Sequence, residues 1–426
     1  MTDFDTVDYF TDQSLIPDPH PYFDHLRSQN PVCCPITNRV LAVTGWEAAN
    51  AVYKDVDSYS SCVAVAGPFT PLPFVPEGDD ICALIEQHRT EIPLYEHMVT
   101  MDPPDHTNAR SLLSRLLTPK RLKENEDFMW RLADRHIDEF IADGQCEFLA
   151  AYARPFSLLV VADLLGVPEE DHEKFRSNFG ADRPGTNIGG LDHEPIATNP
   201  LEWADEMFSF YIEDRRRNPQ DDVLTGLATA KYPDGSTPEV VDVVRTATFL
   251  FGAGQETTAK LLSSALRFLG EQPDLQQQQL RDDRSRIPNF IEECLRLESP
   301  VKSVFRMARK STTLGDTAVP AGKIVMVSPS AANRDPRRFE EPHEFQLDRR
   351  NIREHIAFSR GIHSCPGAPL ARVEGRVSLE RILDRMADIT IDEDKHGPAG
   401  GRNYTYEPTF ILRGLTDLHI KFTPVK

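Results

Sequence analysis

Apolar residues recur at helical spacing along most of the chain. Between residues 121 and 142 the apolar positions Phe128, Leu132, Ile137 and Phe140 lie three to five residues apart, which predicts an amphipathic helix that faces a core. Residues 155–168, PFSLLVVADLLGVP, are apolar almost throughout and end in glycine and proline, which predicts a buried helix. Helices therefore form the greater part of the predicted fold.

The longest predicted helix runs from Pro238, with Thr237 as its cap, to about Leu269. Its centre reads FGAGQETT, in which two glycines, a glutamate and two threonines are poor residues for a helix interior. Such residues indicate either close packing against another helix or a place where a ligand needs room. A threonine hydroxyl that bonds to a preceding carbonyl can also open the helical hydrogen-bond ladder.

Short runs of β-branched and apolar residues predict a few strands. They fall at 39–44, after Val304 and at 323–328, and a hairpin is predicted from 409–413 and 418–422 around Gly414. Two stretches with frequent proline or glycine, 62–100 and 178–200, are predicted to be mobile lids over an apolar cavity. For the first of them, a loop packed on the surface is the alternative.

Composition limits the function without naming it. The 426 residues carry a formal net charge of −20, which argues against nucleic acid as a partner. Seven cysteines show no disulfide spacing and the acidic N-terminus lacks the features of a secretory signal, so we expect a cytoplasmic protein. No apolar run approaches the ~20 residues that a membrane span needs.

One cysteine stands in an unusual frame, HIAFSRGIHSCPGAPLAR, at residues 355–372. Gly361 and Gly367 allow close backbone approach to a flat ligand, and Pro366 predicts a helix that Cys365 caps. The N-terminus of a helix favours the thiolate, which is the form of cysteine that binds iron. Cys365 is therefore predicted to be a metal ligand, and a buried inert cysteine is the alternative.

Two charged motifs precede this frame. His106 and Arg110 lie four residues apart in MDPPDHTNAR, so both can grip one anion, although such a pair alone usually marks a solvated helix face. Glu293 and Arg296 lie three residues apart and can form a bidentate ion pair. Taken alone, that pair is usually a surface feature.

Together these motifs resemble the cytochrome P450 family over nearly the whole chain from residue 14 onward. The resemblance rests on MDPPDHTNAR, AGQETT, the ExxR at Glu293, the coil around NRDP and the cysteine frame, all in the family's order. It implies one domain over residues 1–426 that is mainly α with a small β lobe. A haem then lies between the long central helix and the helix that follows Cys365.

The resemblance also implies roles for single residues. Cys365 becomes the axial thiolate of haem b, Glu256 and Thr257 supply protons, and Glu293 with Arg296 forms a structural ion pair. The residues expected to bind the haem are His106, Arg110, Ala253, Gly254, Arg306, Phe358, His363 and Gly367. The members of this set expected to neutralise the two haem propionates are His106, Arg110, Arg306 and His363.

Two positions depart from the family pattern. Glu344 stands where an arginine often completes the ion-pair network of ExxR, and Arg349 is the expected substitute. Ser359 stands in the cysteine frame at a position that is usually glycine.

The implied function is a monooxygenase that inserts one atom of O2 into a C–H bond of a hydrophobic small molecule, such as a terpenoid, steroid, fatty acid or aromatic. Electrons are expected from a ferredoxin and its reductase, because the chain shows no flavin or iron–sulfur motif. We expect a monomer without membrane contact. The predicted ferredoxin-docking face consists of Lys120, Arg121, Arg337, Arg338 and Arg360. The predicted pocket residues are Phe69, Phe74, Phe179, Val301, Val304, Phe410 and Ile411.

Three other functions remain open on the sequence. A haem-thiolate peroxygenase takes oxygen from peroxide and does not need Glu256 and Thr257. A haem gas sensor binds without catalysis and has little use for apolar lids. A zinc site on His363 and Cys365 lacks further ligands nearby.

Overall fold

The computed structural model describes residues 3–37, 39–114, 116–179, 201–273 and 277–425. Helices dominate this part of the chain, as predicted. They are α1 (His20–Gln29), α2 (Trp46–Lys54), α3 (Cys82–Gln87), α4 (Asp105–Leu113), α5 (Pro119–Phe140), α6 (Arg154–Leu165), α7 (His172–Phe179), α8 (Glu202–Arg217), α9 (Val223–Ala228), α10 (Val240–Glu271), α11 (Gln278–Asp282), α12 (Ile287–Leu297), α13 (Pro329–Ala332), α14 (Ala368–Arg385) and α15 (Glu393–His396).

Ten strands in the described residues form three small sheets. They are β1 (Cys34–Pro35), β2 (Val40–Val43), β3 (Tyr59–Ser60), β4 (Gln145–Glu147), β5 (Val304–Ala308), β6 (Thr312–Leu314), β7 (Thr317–Val319), β8 (Ile324–Val327), β9 (Met386–Ile391) and β10 (His419–Pro424). The largest sheet has the order β1-β2-β8-β5-β3, in which only β2 and β8 run parallel. This sheet is the predicted β lobe.

The helical core surrounds α10, which packs against α6, α8, α12 and α14. Helix α6 is apolar on nearly every side, and ten of its twelve residues are buried, because α5 and α10 cover it from two directions. None of the described helices is long and apolar enough to span a membrane. The fold is therefore mainly α with a small β lobe.

Two predicted boundaries were wrong. Helix α10 begins at Val240 after Glu239 and not at Pro238, because the hydroxyl of Thr237 accepts a hydrogen bond from the ammonium of Lys231 and does not cap the helix. Helix α14 begins at Ala368 after Gly367, so Cys365 lies two residues before the cap position that was predicted for it.

The predicted C-terminal hairpin was also wrong. Strand β10 pairs with β4 and β9, and residues 409–413 form no strand. The carbonyl of Ile411 instead accepts hydrogen bonds from the N–H groups of Lys302 and Ser303, which ties this segment to the chain after α12. The order of the sheet partners could not be read from the alternation alone.

The two predicted lids have different outcomes. The segment 62–100 contains α3 and buries Ile81, Ile85 and Ile92 in the core of the β lobe, so part of it is anchored. Of the segment 178–200, all but Asn178 and Phe179 lies outside the described residues. Whether either segment moves, and whether 1–426 is one domain, stay predictions.

Candidate active site

Cys365 lies in the loop that precedes α14. Its backbone N–H donates to the carbonyl of Phe358 over 2.8 Å, which fixes the loop across the cysteine. The thiol is exposed, yet the surrounding protein desolvates it and raises its pKa, while the N–H groups of Gly367 and Ala368 lower the pKa by less. An accessible thiol that is desolvated by protein faces a concave space and not open solvent. The neighbouring N–H groups do not outweigh the burial, so the predicted thiolate would need the further stabilisation that a metal supplies.

The backbone of this loop explains its small residues. Gly361 has a φ of 70°, and a Cβ there would lie 2.3 Å from the carbonyl oxygen of Tyr53, so no other residue fits without movement. Ser359 has a φ of 59°, in the left-handed region that favours glycine. This conformation accounts for the glycine that is usual at position 359. A Cβ on Gly367 would meet only the Cys365 sulfur, at 3.8 Å, so the space beside the thiol is open.

A charged network orients the aromatic ring of Phe358. The guanidinium of Arg372 lies 4.7 Å from the centre of that ring and donates two hydrogen bonds to Glu292, over 2.5 and 3.0 Å. Nε2 of His355 lies 2.7 Å from Oε2 of the same carboxylate, and these partners lower the pKa of Glu292 to about 2 against the effect of burial. The network holds the cysteine loop against α12.

The centre of α10 presents a bare face. Phe249, Ala253 and Thr257 follow one another at four-residue spacing, which places them on one side of the helix. Ala253 is exposed although α10 is the core helix, and the Thr257 hydroxyl donates to the Ala253 carbonyl over 2.8 Å. Since α10 packs against α14, this exposed face inside the fold fits a flat group held by Cys365.

Packing against neighbouring side chains accounts for the two glycines beside Ala253. A Cβ on Gly254 would lie 2.8 Å from a methyl of Val161 in α6, and one on Gly252 would lie 3.1 Å from Leu201. Close packing of the neighbouring chain is enough to explain both glycines, and contact of Gly254 with the cofactor stays a prediction. Of the three small residues, Ala253 alone is exposed.

Four basic side chains gather on the side of the site where α4 meets the β lobe. The rings of His106 and His363 lie 4.1 Å apart between their centres, and the Ser61 hydroxyl is 2.9 Å from Nε2 of His363. Arg306 is 6% exposed, and its guanidinium donates to the carbonyl of its own neighbour Phe305 over 2.8 Å. We call His106, Arg110, Arg306 and His363 the cation cluster, after the guanidinium groups of Arg110 and Arg306, which carry its positive charge. Burial lowers the pKa of both histidines, so they are neutral.

The described residues provide the cation cluster with no anionic partner. Within the described ranges no carboxylate lies within 4.0 Å of Arg110 or Arg306, and Nε2 of His106 is buried without a hydrogen bond. Asp102, the nearest acid by its electrostatic effect on Arg306, is itself paired with Arg89 over 2.8 Å. Burial lowers the pKa of Arg110 and of Arg306, and it lowers the pKa of His363 to about 2.

Buried cations without partners are unfavourable unless a ligand supplies the anions. The two carboxylates of a haem are anions of the right kind, and the accessible thiol and the bare face of α10 suit its iron and its ring. The residues present therefore fit a haem. Among the described residues no group of three or more His, Cys, Asp or Glu could hold a metal, so Cys365 has no companions for a zinc site.

The two predicted proton donors differ in their surroundings. Thr257 makes the hydrogen bond to Ala253 and is only half-buried. The Glu256 carboxylate forms an ion pair with the ammonium of Lys260, which outweighs burial and lowers the pKa of Glu256. Lys260 was missed on the sequence, although its i+4 position relative to Glu256 was a signal for the pair.

The structural ion pair is completely enclosed. Arg296 donates to both oxygens of Glu293, over 2.7 and 2.8 Å, and both residues are 0% exposed. Nε of Arg349 donates to the same carboxylate over 3.0 Å, so Arg349 is the arginine that completes this network. Residue 344 contributes through its backbone, because the Glu344 carbonyl accepts from both arginines. The departure at Glu344 is thereby explained.

The predicted pocket residues are dispersed. Phe410 and Ile411 are buried in the core of the β lobe, where Phe69 packs against Phe410 with ring centres 4.9 Å apart. Phe179 packs against Phe251, with ring centres 5.0 Å apart, and Phe74 packs against His88. Val301 and Val304 are half-buried. Phe249, which the sequence reading missed, lies on the bare face of α10 with its ring centre 5.4 Å from that of His97.

Comparisons with a family model, with known sequences and with solved structures show which proteins this chain resembles. A family model described as "Cytochrome P450" matches residues 196–396. The chain is 30% identical over 417 residues to the cytochrome P450 monooxygenase PikC of Streptomyces venezuelae, covering 96% of this chain and 92% of that protein.

Solved structures agree with the sequence relatives. Substrate-free CYP150A6 of Mycobacterium marinum superposes with a TM-score of 0.93 at 66% identity, covering 99% of this chain and 100% of that one. CYP109E1 of Bacillus megaterium, solved with testosterone, superposes with a TM-score of 0.77 at 26% identity, covering 95% and 99%. The first of these structures is described as a cytochrome P450.

Proposed function

The chain belongs to the cytochrome P450 family, and we propose that it hydroxylates a hydrophobic small molecule with O2 and electrons from a ferredoxin. Proteins of this family are monooxygenases with haem b as cofactor, and this chain is an oxidoreductase of that kind. The observation that carries the proposed residue roles is the cation cluster, which lacks carboxylates, beside an accessible thiol. The haem supplies activation of O2 at its iron.

The residues of the cation cluster and Cys365 hold the cofactor in this proposal. Cys365 would bind the iron as thiolate. Arg110 and Arg306 would pair with the two carboxylates, and the neutral rings of His106 and His363 would donate hydrogen bonds to them. Because Arg306 is already desolvated, it loses no further hydration when it pairs, so each charge-assisted hydrogen bond is strong. The small side chain of Ala253 would leave room for the cofactor beside the bare face of α10.

Proton supply is assigned to Thr257 and Glu256. The Thr257 hydroxyl is oriented by its hydrogen bond to the Ala253 carbonyl, next to the bare face of α10. Glu256 is the adjacent carboxyl group, and proton transfer by such positioned groups typically contributes about 10²–10⁴ in rate. Replacement of Thr257 by alanine should release peroxide in place of product.

The substrate is proposed to be apolar. Phe249 lies one turn before Ala253 on the bare face of α10, and Val301 and Val304 are half-buried where the chain enters β5. The solved relative CYP109E1 holds testosterone, which makes a steroid-sized apolar compound the first class to test. The other classes are terpenoids, fatty acids and aromatics.

A ferredoxin is the proposed electron donor. The basic face proposed to bind it carries less unpaired charge than the sequence indicated. Arg121, Arg337 and Arg338 form ion pairs with Asp163, Asp335 and Glu354 at 2.5–3.0 Å. Arg360 donates to backbone carbonyls of residues 353–355 and forms no ion pair in the part of the chain that the structure describes, so its charge can face a partner. Reversal of the charge at Arg360 should slow electron transfer from the ferredoxin to this protein. A cytoplasmic monomer completes the proposal.

The test is a ligand screen followed by turnover. A hydrophobic library is screened on the haem-loaded protein for the optical shift that reports displacement of the iron-bound water. Hits are then incubated with a ferredoxin, its reductase, NADPH and isotopically labelled O2. A hydroxylated product that carries one labelled atom supports the proposal. Product from peroxide alone indicates a peroxygenase, and a stable reduced O2 complex without product from any hit indicates a sensor.

A further inference from the structure

Lys260 is a buried cation held between two carboxyl groups. Its ammonium forms an ion pair with Glu256 on the preceding turn of α10 and donates to Oε1 of Glu407 over 2.8 Å. The Lys260 side chain is 2% exposed, whereas the two glutamates are partly exposed, at 26% and 21%. We call Glu256, Lys260 and Glu407 the carboxyl–lysine triad.

The C-terminal turn is shaped around Lys260. A Cβ on Gly414 would lie 2.3 Å from Cγ of Lys260, so glycine is needed for the side chain to pass. The N–H of Glu407 donates to the Gly414 carbonyl over 3.1 Å, which holds the turn closed over the lysine. Thr405 and Pro408, on either side in the chain, are exposed, so Glu407 lies where the turn meets solvent.

The two carboxyl groups are close enough to exchange a proton. One oxygen of each contacts the same nitrogen of Lys260, so the two groups are neighbours and a protonated Glu407 can donate to the Glu256 carboxylate. The cation of Lys260 lowers the pKa of Glu256, with a smaller effect from Arg154, while burial raises the pKa of Glu407. One proton on Glu407 leaves one carboxylate opposite one ammonium, which is the arrangement a buried triad favours.

We infer that Glu407 is the solvent-side member of the proton path to Thr257, receiving protons from water and passing them to Glu256, with Lys260 as the positioning residue. In each transfer the O–H bond of Glu407 breaks as an O–H bond forms on Glu256. Water then reprotonates Glu407, and Lys260 keeps its three protons throughout. The inference rests on the proposed roles of Glu256 and Thr257.

A purely structural reading of the triad makes a different prediction. If the triad only fastens the C-terminal turn to α10, a neutral side chain that still accepts a hydrogen bond from Lys260 serves equally well. Glu407→Gln keeps the shape and the hydrogen bond but cannot carry a proton. This substitution therefore separates the two roles.

The first measurement does not depend on turnover. Infrared spectra of the substrate-free ferric holoenzyme, recorded as the pH is raised, should show carboxyl groups that stay protonated above the pH range in which glutamate usually titrates. Burial raises the pKa of Glu374 to about 8, so Glu374→Gln is the control that assigns its band. Glu407→Gln should remove a second band. If all such bands survive in Glu407→Gln, Glu407 holds no proton and the inference is wrong.

The second measurement follows proton delivery. With a ligand from the screen, Glu407→Gln should lower product formed per electron by at least about tenfold, with peroxide released and an increased solvent isotope effect. Glu407→Asp should restore part of the coupling. Glu173→Gln, at an exposed glutamate on α7, is the matched control and should retain full coupling.

The outcomes separate this inference from the proposed function. If Glu256→Gln is uncoupled and Glu407→Gln is fully coupled, the path has another entrance and only this inference fails. If both variants and Thr257→Ala are fully coupled, the proposed proton donors fail together with it. For Lys260, the pH dependence of coupling should shift to higher pH in Lys260→Met and return in Lys260→Arg. An unchanged pH dependence in Lys260→Met contradicts its positioning role.

Discussion

The Glu293 ion pairs and the cation cluster are two groups of charged side chains near the cysteine loop, and they differ in the groups that neutralise them. At Glu293, two arginines and several backbone carbonyls satisfy every charge within the protein. In the cation cluster, Arg306 is almost equally buried, but the partners that the described residues give it, the Phe305 carbonyl and the ring of Tyr53, carry no charge. A buried charge with protein partners stabilises the fold, whereas one without them indicates a ligand that brings the opposite charge.

The largest expected effect comes from breaking the satisfied group. Arg296→Met leaves Glu293 buried with Arg349 as its remaining cation, which should lower the free energy of unfolding by about 3 kcal/mol. Denaturant unfolding of the haem-free protein measures this. A loss smaller than that of an exposed control such as Arg217→Met would contradict the structural role.

The opposite behaviour is expected at the unsatisfied group. Arg306→Met should weaken haem binding roughly tenfold to a hundredfold, because hydrogen bonds to charged groups contribute about 1.5–3 kcal/mol. The haem-free protein should be no less stable, since an unpaired buried cation is removed. Haem titration and denaturant unfolding of the same preparation measure both quantities. Unchanged haem affinity with reduced stability would reverse the assignment.

Lys302 sharpens the comparison because it is a buried cation that can lose its charge. It donates to the Thr409 carbonyl over 2.7 Å, and burial lowers its pKa from 10.5 to about 7. The unfolded chain holds the proton up to higher pH than the folded protein, so stability falls as pH falls from about 10.4 towards 7. Relative to Lys302→Met, the wild type should lose about 4–5 kcal/mol over that window, measured by unfolding at several pH values.

A constant difference between Lys302→Met and the wild type across that window would show that Lys302 keeps its charge when folded. Other titrating groups are common to both proteins and cancel in the difference.

The smallest effect concerns the backbone of the cysteine loop. Ser359→Gly should raise the free energy of unfolding by up to about 1 kcal/mol, because glycine adopts the observed φ of 59° without steric strain. The gain is reduced by the greater freedom of glycine in the unfolded chain. Ala357→Gly is the control, and an equal gain there would show that the backbone at position 359 is not strained.

The sequence predicted the class of fold and the long helix, because helical periodicity and local motifs are properties of neighbouring residues. It also named the members of the cation cluster, but their lack of carboxylate partners is a property of tertiary packing. Gly254 shows the limit most clearly, since a glycine needed for contact with Val161 looks the same in sequence as one that leaves room for a ligand. The failure of the hairpin at 409–413 has the same cause, because its partners lie more than a hundred residues away.

The measurement that tests the central claim most directly is the absorption spectrum of the haem-loaded protein, ferric and reduced with carbon monoxide, for wild type, Cys365→Ser and Arg306→Met. The wild type should show a thiolate-ligated haem, and Arg306→Met should show the same spectrum at lower haem occupancy. Cys365→Ser should lose the thiolate spectrum, whatever haem it retains. A thiolate-ligated spectrum in Cys365→Ser would contradict the account, because one of the other six cysteines would then hold the iron.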